Sequence, residues 1–403
     1  MERLIGVHLK RLGQLWQPPR AHGDADRGRT VSFLELFHDL VYVALIAAAA
    51  HHLAGHMEWS AVGEFGVVFS LVWLAWLNGA AEHDLHGRED VRTRTFTFVQ
   101  MLLVALLAVY ASMGADGRDG FSIVYGAFFI VLGWLWFSAH LRADESHRRV
   151  SRRYLVLILL TVAAAFGSAF APPPAQLWVW GAVALVWVSA LFFATRATAG
   201  LSGEPVIVSH SLVERFGLFV IIVLGEVVVG VVRGLSESAG DLETIATGML
   251  ALGVGFGIWW TYFDLTGRRL PREDRTGLPV WIVLHLPLTM CIAAAGAAMV
   301  SVIEHAGDPR APEVVTWVLG GSVALSLVAI AAIAPTLRDF ARYRRIYSVT
   351  CVAMVALALA SAIPIGLLRP APLELVAALL GVLTLVWLVT IVQWLKTGEE
   401  VEP

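Results

Sequence analysis

The chain has 403 residues, of which 58% are hydrophobic and only 15% are charged, and its formal net charge is −3. Its mean hydropathy is +0.72. Soluble domains have about 45–50% apolar and about 25% charged residues, so this composition indicates a membrane protein and excludes an ordinary soluble domain. The Lys and Arg residues are dispersed between apolar runs, which excludes a nucleic-acid-binding face. Cys291 and Cys351 lie in apolar segments, where we expect packing rather than a disulfide or a metal site.

Residues 1–30 form a polar N-terminal segment with several basic side chains and the helix-breaking pair Pro18-Pro19. The segment has no apolar core of the kind that secretory signals carry. We therefore expect a cytoplasmic tail that is not cleaved.

Apolar runs of about 20 residues, the length needed to cross a bilayer, fill the remainder of the chain. Breaks rich in Gly, Pro and Asp separate these runs, as at 172–174 and 369–372. We predict an all-α polytopic membrane protein with twelve spans. They lie at about 33–55, 61–81, 94–113, 121–141, 153–171, 176–196, 209–233, 244–264, 281–302, 315–336, 347–368 and 374–395.

Basic residues are distributed unevenly between the two ends of these spans. Of the 29 Lys and Arg residues, 24 fall in the two tails and the even-numbered connections, and only 4 fall in the odd-numbered connections. Cytoplasmic loops carry the excess of positive charge, so we expect both termini to be cytoplasmic, as an even number of spans requires. The expected location is the inner membrane of a bacterium.

Polar motifs of the first half recur in the second half at a nearly constant offset of about 180 residues. The pairs, in chain order, are Glu35 with Glu214, Asp84 with Asp264, Arg88 with Arg272, and Gln100 with His285. Six spans per half place both halves in the same orientation, as in transporters built from two like halves. We predict parallel six-helix repeats at 31–196 and 209–395, a cytoplasmic linker at 197–208, and tails at 1–30 and 396–403.

The first span begins with three ionisable residues, Glu35, His38 and Asp39, on one helical stripe. A hydrocarbon core disfavours charged side chains by roughly 2.5–3.5 kcal/mol, so we expect this stripe to face protein or water. The repeat predicts that Glu214 faces Glu35, which would create a proton or cation site. The alternative is structural: the acids would cap helix starts and pair with Arg29 and with Arg215.

Glu226 lies twelve residues beyond Glu214, about 18 Å along the helix at 1.5 Å per residue. Glycines flank it in the segment 224–230 and allow close helix approach. We expect this carboxyl group to be protonated, or paired with Arg233 two turns on. As an isolated acid deep in a span, it is a candidate for the proton pathway.

Residues 82–90 carry two histidines and four acids, a composition that could suit a divalent metal. The second half lacks these histidines, so we expect a cytoplasmic connection without a metal. Both halves keep an Asp-x-x-Gly-Arg core here, which resembles part of the loop signature of major-facilitator transporters. That resemblance implies a breakable cytoplasmic latch, and the alternative is a tight turn with solvated charges. The latch residues would be Asp84, Arg88, Asp264, Arg268 and Arg269.

Gln100 and His285 occupy equivalent places in the third and ninth spans, and Pro287 follows the histidine closely. Polar side chains in spans hydrogen-bond between helices for roughly 0.6–2 kcal/mol each. We favour this structural role over ligand binding, and we keep both residues as candidates for the pathway.

Four ordered motifs carry a resemblance to a known family: 32–43 (SFLELFHDLVYV), 210–226, 259–264 (WWTYFD) and 285–288 (HLPL). Together they resemble the low-temperature-requirement A (LtrA) family of bacterial membrane proteins over nearly the whole chain. The resemblance implies a multi-spanning membrane protein and no particular biochemical activity. His38 departs from the family, which usually has an aromatic residue there.

The leading hypothesis is a secondary transporter of a small solute or ion, coupled to protons through Glu35, Asp39, Glu214 and Glu226. The segment Phe37-His-Asp39 also resembles the first-helix motif of an endolysosomal potassium-channel family, so a passive cation channel is the alternative. A third possibility is a non-transporting stress or assembly factor. No nucleotide-binding, hydrolase or metalloprotease motif is present, so we expect no enzymatic activity and no cofactor. The expected partners are lipid and a small solute or cation.

Overall fold

The computed structural model describes residues 17–20, 30–88, 90–143, 145–201, 209–238, 240–274 and 276–397. Most of the predicted N-terminal tail, linker and C-terminal tail lies outside these residues, and so does Arg29. Within the described ranges the chain is helical, with no strand beyond an isolated bridge between Pro271 and Leu337.

Twelve of the described helices are long and apolar enough to span a membrane, so the predicted number of spans is confirmed. We number them α1 Phe33–Gly55, α2 Trp59–His86, α3 Val91–Ser112, α4 Arg118–His140, α5 Glu145–Ser168, α6 Pro173–Leu201, α7 His210–Glu237, α8 Leu242–Leu265, α9 Gly277–Glu304, α10 Glu313–Ile333, α11 Arg344–Leu368 and α12 Pro372–Thr397. Short 3-10 helices at Gly114–Gly117, Ala334–Thr336 and Arg338–Phe340 adjoin them.

Side chains at the helix starts satisfy backbone N–H groups that have no intrahelical partner. Asp90 caps α3 by accepting from the backbone N of Thr93 at 2.9 Å. Asp241 caps α8 through the backbone N of Thr244 at 2.8 Å. The C-terminal end of α11 is marked by Arg369, which ends the helix with a left-handed φ of 48°.

The chain divides into two compact units, and each is described by itself. The first comprises the described residues up to Ala48 together with Val67–Arg215. In it α3 packs on α4, α4 on α5, and α5 on α6. Large aromatic side chains fill its core, and Trp73, Trp76, Phe128 and Phe129 are fully buried.

The second unit comprises Ala49–Gly66 and the described residues from Phe216 onward. Its central helix is α9, in which 89% of the most apolar 18-residue window is buried, against 17–67% in the other spans. Small residues from Cys291 to Ala298 let neighbouring helices approach α9 closely. The units share α1, α2 and α7, so their boundaries differ from those of the predicted halves.

Candidate functional site

The site begins with a capping box at the start of α1. The backbone N of Ser32 donates to Glu35 Oε2 at 2.8 Å, and the backbone N of Glu35 donates to Ser32 Oγ at 3.3 Å. This reciprocal pair satisfies two N–H groups of the first turn. Glu35 is only 1% exposed, so the cap also brings a carboxylate into the interior of the first unit.

One turn further along α1, Asp39 forms a buried ion pair with Arg215 of α7. Arg215 Nε donates to Asp39 Oδ2 at 3.1 Å, and its Nη2 donates to Oδ1 at 2.5 Å. The indole Nε1 of Trp76 donates to Oδ1 at 3.0 Å. Asp39 and Arg215 are 0% and 1% exposed. Because two nitrogens of the guanidinium donate to the two oxygens of the carboxylate, these charged hydrogen bonds hold the carboxylate in one orientation.

The same guanidinium also faces Glu35, since Arg215 Nη1 lies 3.6 Å from Glu35 Oε1. His83 Nε2 approaches this oxygen to 3.7 Å. Asp84 contributes to the electrostatic field at Arg215. One arginine therefore lies among three buried carboxylates, with an imidazole at their edge. We call Glu35, Asp39, Arg215 and His83 the charged cluster.

Two polar atoms beside the charged cluster have no hydrogen-bond partner among the described residues. They are Nε2 of His38 and the hydroxyl of Tyr42. His38 and Tyr42 are 4% and 0% exposed, and their rings meet edge to face at 5.3 Å. A buried polar group without a partner costs about 1–3 kcal/mol, so such a pair of groups calls for an explanation beyond packing.

The prediction that Glu214 faces Glu35 is wrong. Glu214 is exposed and accepts a hydrogen bond from the backbone N of Val31 at 3.3 Å. The next residue, Arg215, faces the interior instead, because consecutive helical side chains point about 100° apart. His210, one turn earlier, is also exposed. The predicted repeat pairs Glu35 with Glu214, and such a pairing does not determine which face of α7 is buried.

The predicted end of the second span at residue 81 is too early, because α2 continues to His86. Sequence reasoning therefore treated Glu82 and His83 as part of a connection, and it did not single out Trp76, which lies inside the predicted span. Glu82 is 7% exposed and lies in the field of Arg92, which is itself buried and donates to Ser138 Oγ at 2.6 Å. The helical period of α2, extended past residue 81, would have placed these side chains on buried faces.

Among the described residues, no direct contact is found between Asp84 and Arg88, the latch residues of the first unit. Asp84 Oδ1 accepts from Ser209 Oγ at 2.6 Å, and Ser209 Oγ accepts from the backbone N of Leu212 at 2.9 Å. Asp84 therefore anchors the residue that caps α7. Arg88 Nη1 instead donates to Gln17 Oε1 at 3.3 Å.

In the second unit, Asp264 and Arg268 are exposed. Arg269 Nη2 donates to the backbone carbonyl of Asp264 at 3.4 Å, and its guanidinium lies over the rings of Tyr343 and Tyr347 at 5.8 and 5.6 Å. These contacts join the α8–α9 connection to the start of α11. A latch that opens and closes stays a prediction.

Glu226 lies at a tight crossing of α7 and α9 in the second unit. A Cβ on Gly230 would come within 2.2 Å of the Gly296 carbonyl oxygen, and a Cβ on Gly296 within 2.7 Å of the Glu226 backbone. Glu226 is 5% exposed, and no hydrogen bond or ion pair to its side chain is found in the described part of the chain. The alternative pairing with Arg233 does not form, since Arg233 Nε donates to Glu237 Oε1 at 2.9 Å and its Nη1 contacts His51.

His285 has both ring nitrogens occupied. Its Nδ1 donates to the backbone carbonyl of Trp281 at 2.7 Å, which leaves Nε2 to accept from the Tyr262 hydroxyl at 3.0 Å. The ring also packs against Phe216 at 4.9 Å. His285 therefore joins α8 to α9, with no nitrogen left for a ligand. Gln100, its predicted counterpart in the first unit, is buried, and its Nε2 has no partner among the described residues.

The described residues contain no group of three or more His, Cys, Asp or Glu side chains placed to hold a metal ion. They contain two separate features, the charged cluster in the first unit and, in the second, the Glu226 carboxyl group, which has no partner among the described residues. Both are arrangements that can hold or exchange a proton within a span, since a buried ionisable group changes its charge when its surroundings change.

Comparison with known proteins agrees with this architecture. The family model described as bacterial low temperature requirement A protein (LtrA) matches residues 30–390. A relative from Rhizobium meliloti (strain 1021), called uncharacterized protein RA0937, is 25% identical over 280 residues. That match covers 64% of this chain and 66% of the relative, so the chain spans about two thirds of that protein's length. With twelve helices able to cross a membrane and a family match over most of its length, the chain belongs to the LtrA family of bacterial membrane proteins.

Proposed function

We propose that this membrane protein is a secondary transporter that moves a small solute or ion together with protons. The single observation that carries the proposal is the charged cluster, a set of buried ionisable side chains from α1, α2 and α7. Insertion of such groups into a membrane is costly, and intramembrane charges mark ion pathways by default. The proposal places the protein in the bacterial inner membrane with both termini cytoplasmic.

Charge balance supports a proton at this site. Three buried carboxyl groups, those of Glu35, Asp39 and Asp84, act on the single positive charge of Arg215, and Glu35, Asp39 and Arg215 are each at most 1% exposed. Carboxylates close together in a low dielectric do not all stay ionised without compensation. A proton carried by Glu35, or by His83 whose Nε2 lies 3.7 Å from Glu35 Oε1, would reduce this excess of negative charge.

Two buried polar atoms beside the ion pair, which have no hydrogen-bond partner among the described residues, support the binding of a small polar ligand. His38 Nε2 and the Tyr42 hydroxyl lie one helical turn apart on α1, next to Asp39. The Tyr42 hydroxyl can donate and accept a hydrogen bond, and His38 Nε2 can donate or accept according to its tautomer. A small polar solute or a water chain bound there would satisfy both and would feel the charge of the Asp39–Arg215 pair.

Glu226 is the proposed second proton site. A carboxyl group buried among apolar residues without a partner is neutral in that state, and it ionises when water reaches it. Glu226 lies beside the close contact of Gly230 with Gly296, so its burial depends on the distance between α7 and α9. A small separation of these helices would expose it.

The same ion pair also favours one other function, that of a non-transporting membrane stress or assembly factor. Arg215 makes two hydrogen bonds to Asp39 and both residues are buried, as in a pair that only stabilises a fold. The passive cation channel has less support, because Phe37 is 57% exposed and Asp39 is held by Arg215.

Proteoliposomes test the proposal. The full-length protein is reconstituted with a pH-sensitive dye inside, a pH gradient is imposed, and small solutes and ions are added in turn. We expect solute-dependent proton movement in the wild type and its loss in Glu226→Gln. Glu214→Gln is the matched control, since Glu214 lies on the exposed face of the same helix, and it should behave as the wild type.

Three results would count against proton-coupled transport. They are the absence of proton movement with every solute in the wild type, unchanged coupling in Glu226→Gln, or unitary currents in single-channel recordings without any solute. The last result would favour the channel. Co-purification of a fixed partner protein, with no flux, would favour the assembly factor.

A further inference from the structure

A groove lies between α5 and α6 of the first unit, apart from the charged cluster. It encloses about 470 Å³. On α5 it is lined by one stripe with the spacing i, i+3, i+4, i+7, and on α6 by residues 185–187 and 189–191. The α5 stripe consists of Val150, Arg153, Tyr154 and Leu157.

The walls of the groove are mostly apolar and open outward. Leu185 and Val186 of α6 are 70% and 51% exposed, and on α5 the neighbouring Leu159 and Leu160 are 66% and 61% exposed. On a helix pair that spans a membrane, exposed apolar side chains face lipid. An acyl chain is therefore the group that meets this groove in the bilayer.

A cluster of cations lies at one end of the groove. Arg149, Arg152 and Arg153 are all exposed in the first turns of α5, and none has an ion-pair partner in the described part of the chain. Arg153 lines the groove itself, and Arg149 lies one turn before it on nearly the same face. By contrast, Arg148 is already engaged with the backbone carbonyl of Ala143 at 3.1 Å.

We infer that this groove binds an anionic phospholipid of the surrounding bilayer, with an acyl chain between α5 and α6 and the phosphate against Arg149 and Arg153. Guanidinium groups bind phosphate oxygens through paired, charge-assisted hydrogen bonds. Basic pockets between membrane helices are suited to anionic headgroups, and the apolar walls supply the second half of the recognition. A free phosphate ion would use the arginines alone and leave the groove unfilled.

Lipid titration tests the inference. Full-length protein, purified in a neutral detergent and stripped of lipid, is mixed with phosphatidylglycerol or with phosphatidylcholine of the same acyl chains. Bound lipid is then counted by native mass spectrometry. We expect the wild type to prefer phosphatidylglycerol about 30-fold. Each of the two arginines contributes about 1 kcal/mol near an anionic lipid, and 1.4 kcal/mol corresponds to a factor of ten in affinity.

The double variant Arg149→Gln/Arg153→Gln should lose this preference. The matched control is Arg344→Gln/Arg345→Gln, which removes two exposed arginines from the start of another span, α11, and should keep it. Ala190→Trp, which places a large ring in the groove, should weaken phosphatidylglycerol binding with every arginine intact.

Several outcomes would overturn the inference. Equal binding of the two lipids by the wild type would do so without any variant, even if a variant failed to fold. Equal loss of preference in the two arginine pairs would indicate a general attraction at the membrane surface. Displacement of the lipid by inorganic phosphate at the same concentration would assign the arginines to a soluble anion.

Discussion

Removal of Arg215 is the sharpest test of the charged cluster. The change Arg215→Gln deletes a guanidinium that is 1% exposed and donates to Asp39 at 3.1 and 2.5 Å. It leaves two carboxylates, Asp39 and Glu35, without their common cation. Breaking a buried ion pair by removal of one partner costs about 3–5 kcal/mol, and we expect this variant to lie at the upper end, near 5 kcal/mol.

Substitution of Asp39 or Glu35 should reduce the free energy of unfolding by less than Arg215→Gln does. Asp39→Asn leaves Arg215 with Glu35 still 3.6 Å away, so the expected loss is about 3 kcal/mol. Glu35→Gln preserves a side chain that can complete the capping box and removes only the longer ion contact, so about 1 kcal/mol should be lost.

The assay is the free energy of unfolding in mixed micelles, measured by denaturant titration for each variant. Arg268→Gln serves as the control, since this exposed arginine should change the value by no more than about 0.5 kcal/mol. The double variant Asp39→Asn/Arg215→Gln should be more stable than Arg215→Gln alone, because no carboxylate of the pair remains charged. The idea that a buried ion pair stabilises the first unit would be refuted if Arg215→Gln lost less than about 1 kcal/mol of unfolding free energy, or lost less than Asp39→Asn.

Three further predictions concern the second unit. Gly230→Ala should prevent the close approach of α7 to α9, because its Cβ would lie 2.2 Å from the carbonyl oxygen of Gly296. The control is Gly225→Ala, whose Cβ would have nothing within 4 Å. The melting temperature of Gly230→Ala should be several degrees below that of Gly225→Ala, and equal melting temperatures would contradict the crossing. Tyr262→Phe removes the hydroxyl that donates to the buried histidine of α9 and should cost about 1–2 kcal/mol in the same unfolding assay; no loss would show that the bond is absent. Hydrogen bonds from the backbone of Gly277 and of the preceding residue lower the pKa of Asp274 at the start of α9. The stabilisation by this cap is therefore present above the ordinary pKa of an aspartate and is lost as pH falls through the lowered value. The melting temperatures of wild type and Asp274→Ala should converge in that acidic range, and a constant difference would contradict the cap.

The number of spans and the class of fold are predictable from the sequence because they depend on local properties of the chain. Each apolar run must be about as long as the bilayer is thick, whatever its neighbours are. The capping box at Ser32 and Glu35 is similarly local, since its two hydrogen bonds join residues three positions apart. The ends of the spans are less certain from sequence, as α2 shows by carrying Glu82 and His83 within its last turns.

Which charges meet is decided only by the tertiary structure. Glu214 and Arg215 are neighbours at the start of the same helix, and the rotation of α7 against α1 and α2 decides that the arginine is buried and the glutamate is exposed. Hydropathy alone cannot predict that rotation, because both residues are charged and the repeat aligned the glutamate. The sequence by itself determined that this chain has twelve segments long and apolar enough to cross a membrane, with acids inside some of them. Only the folded chain determined which of those acids has a cation beside it, since an ion pair between residues 176 positions apart depends on helix packing and not on any local pattern.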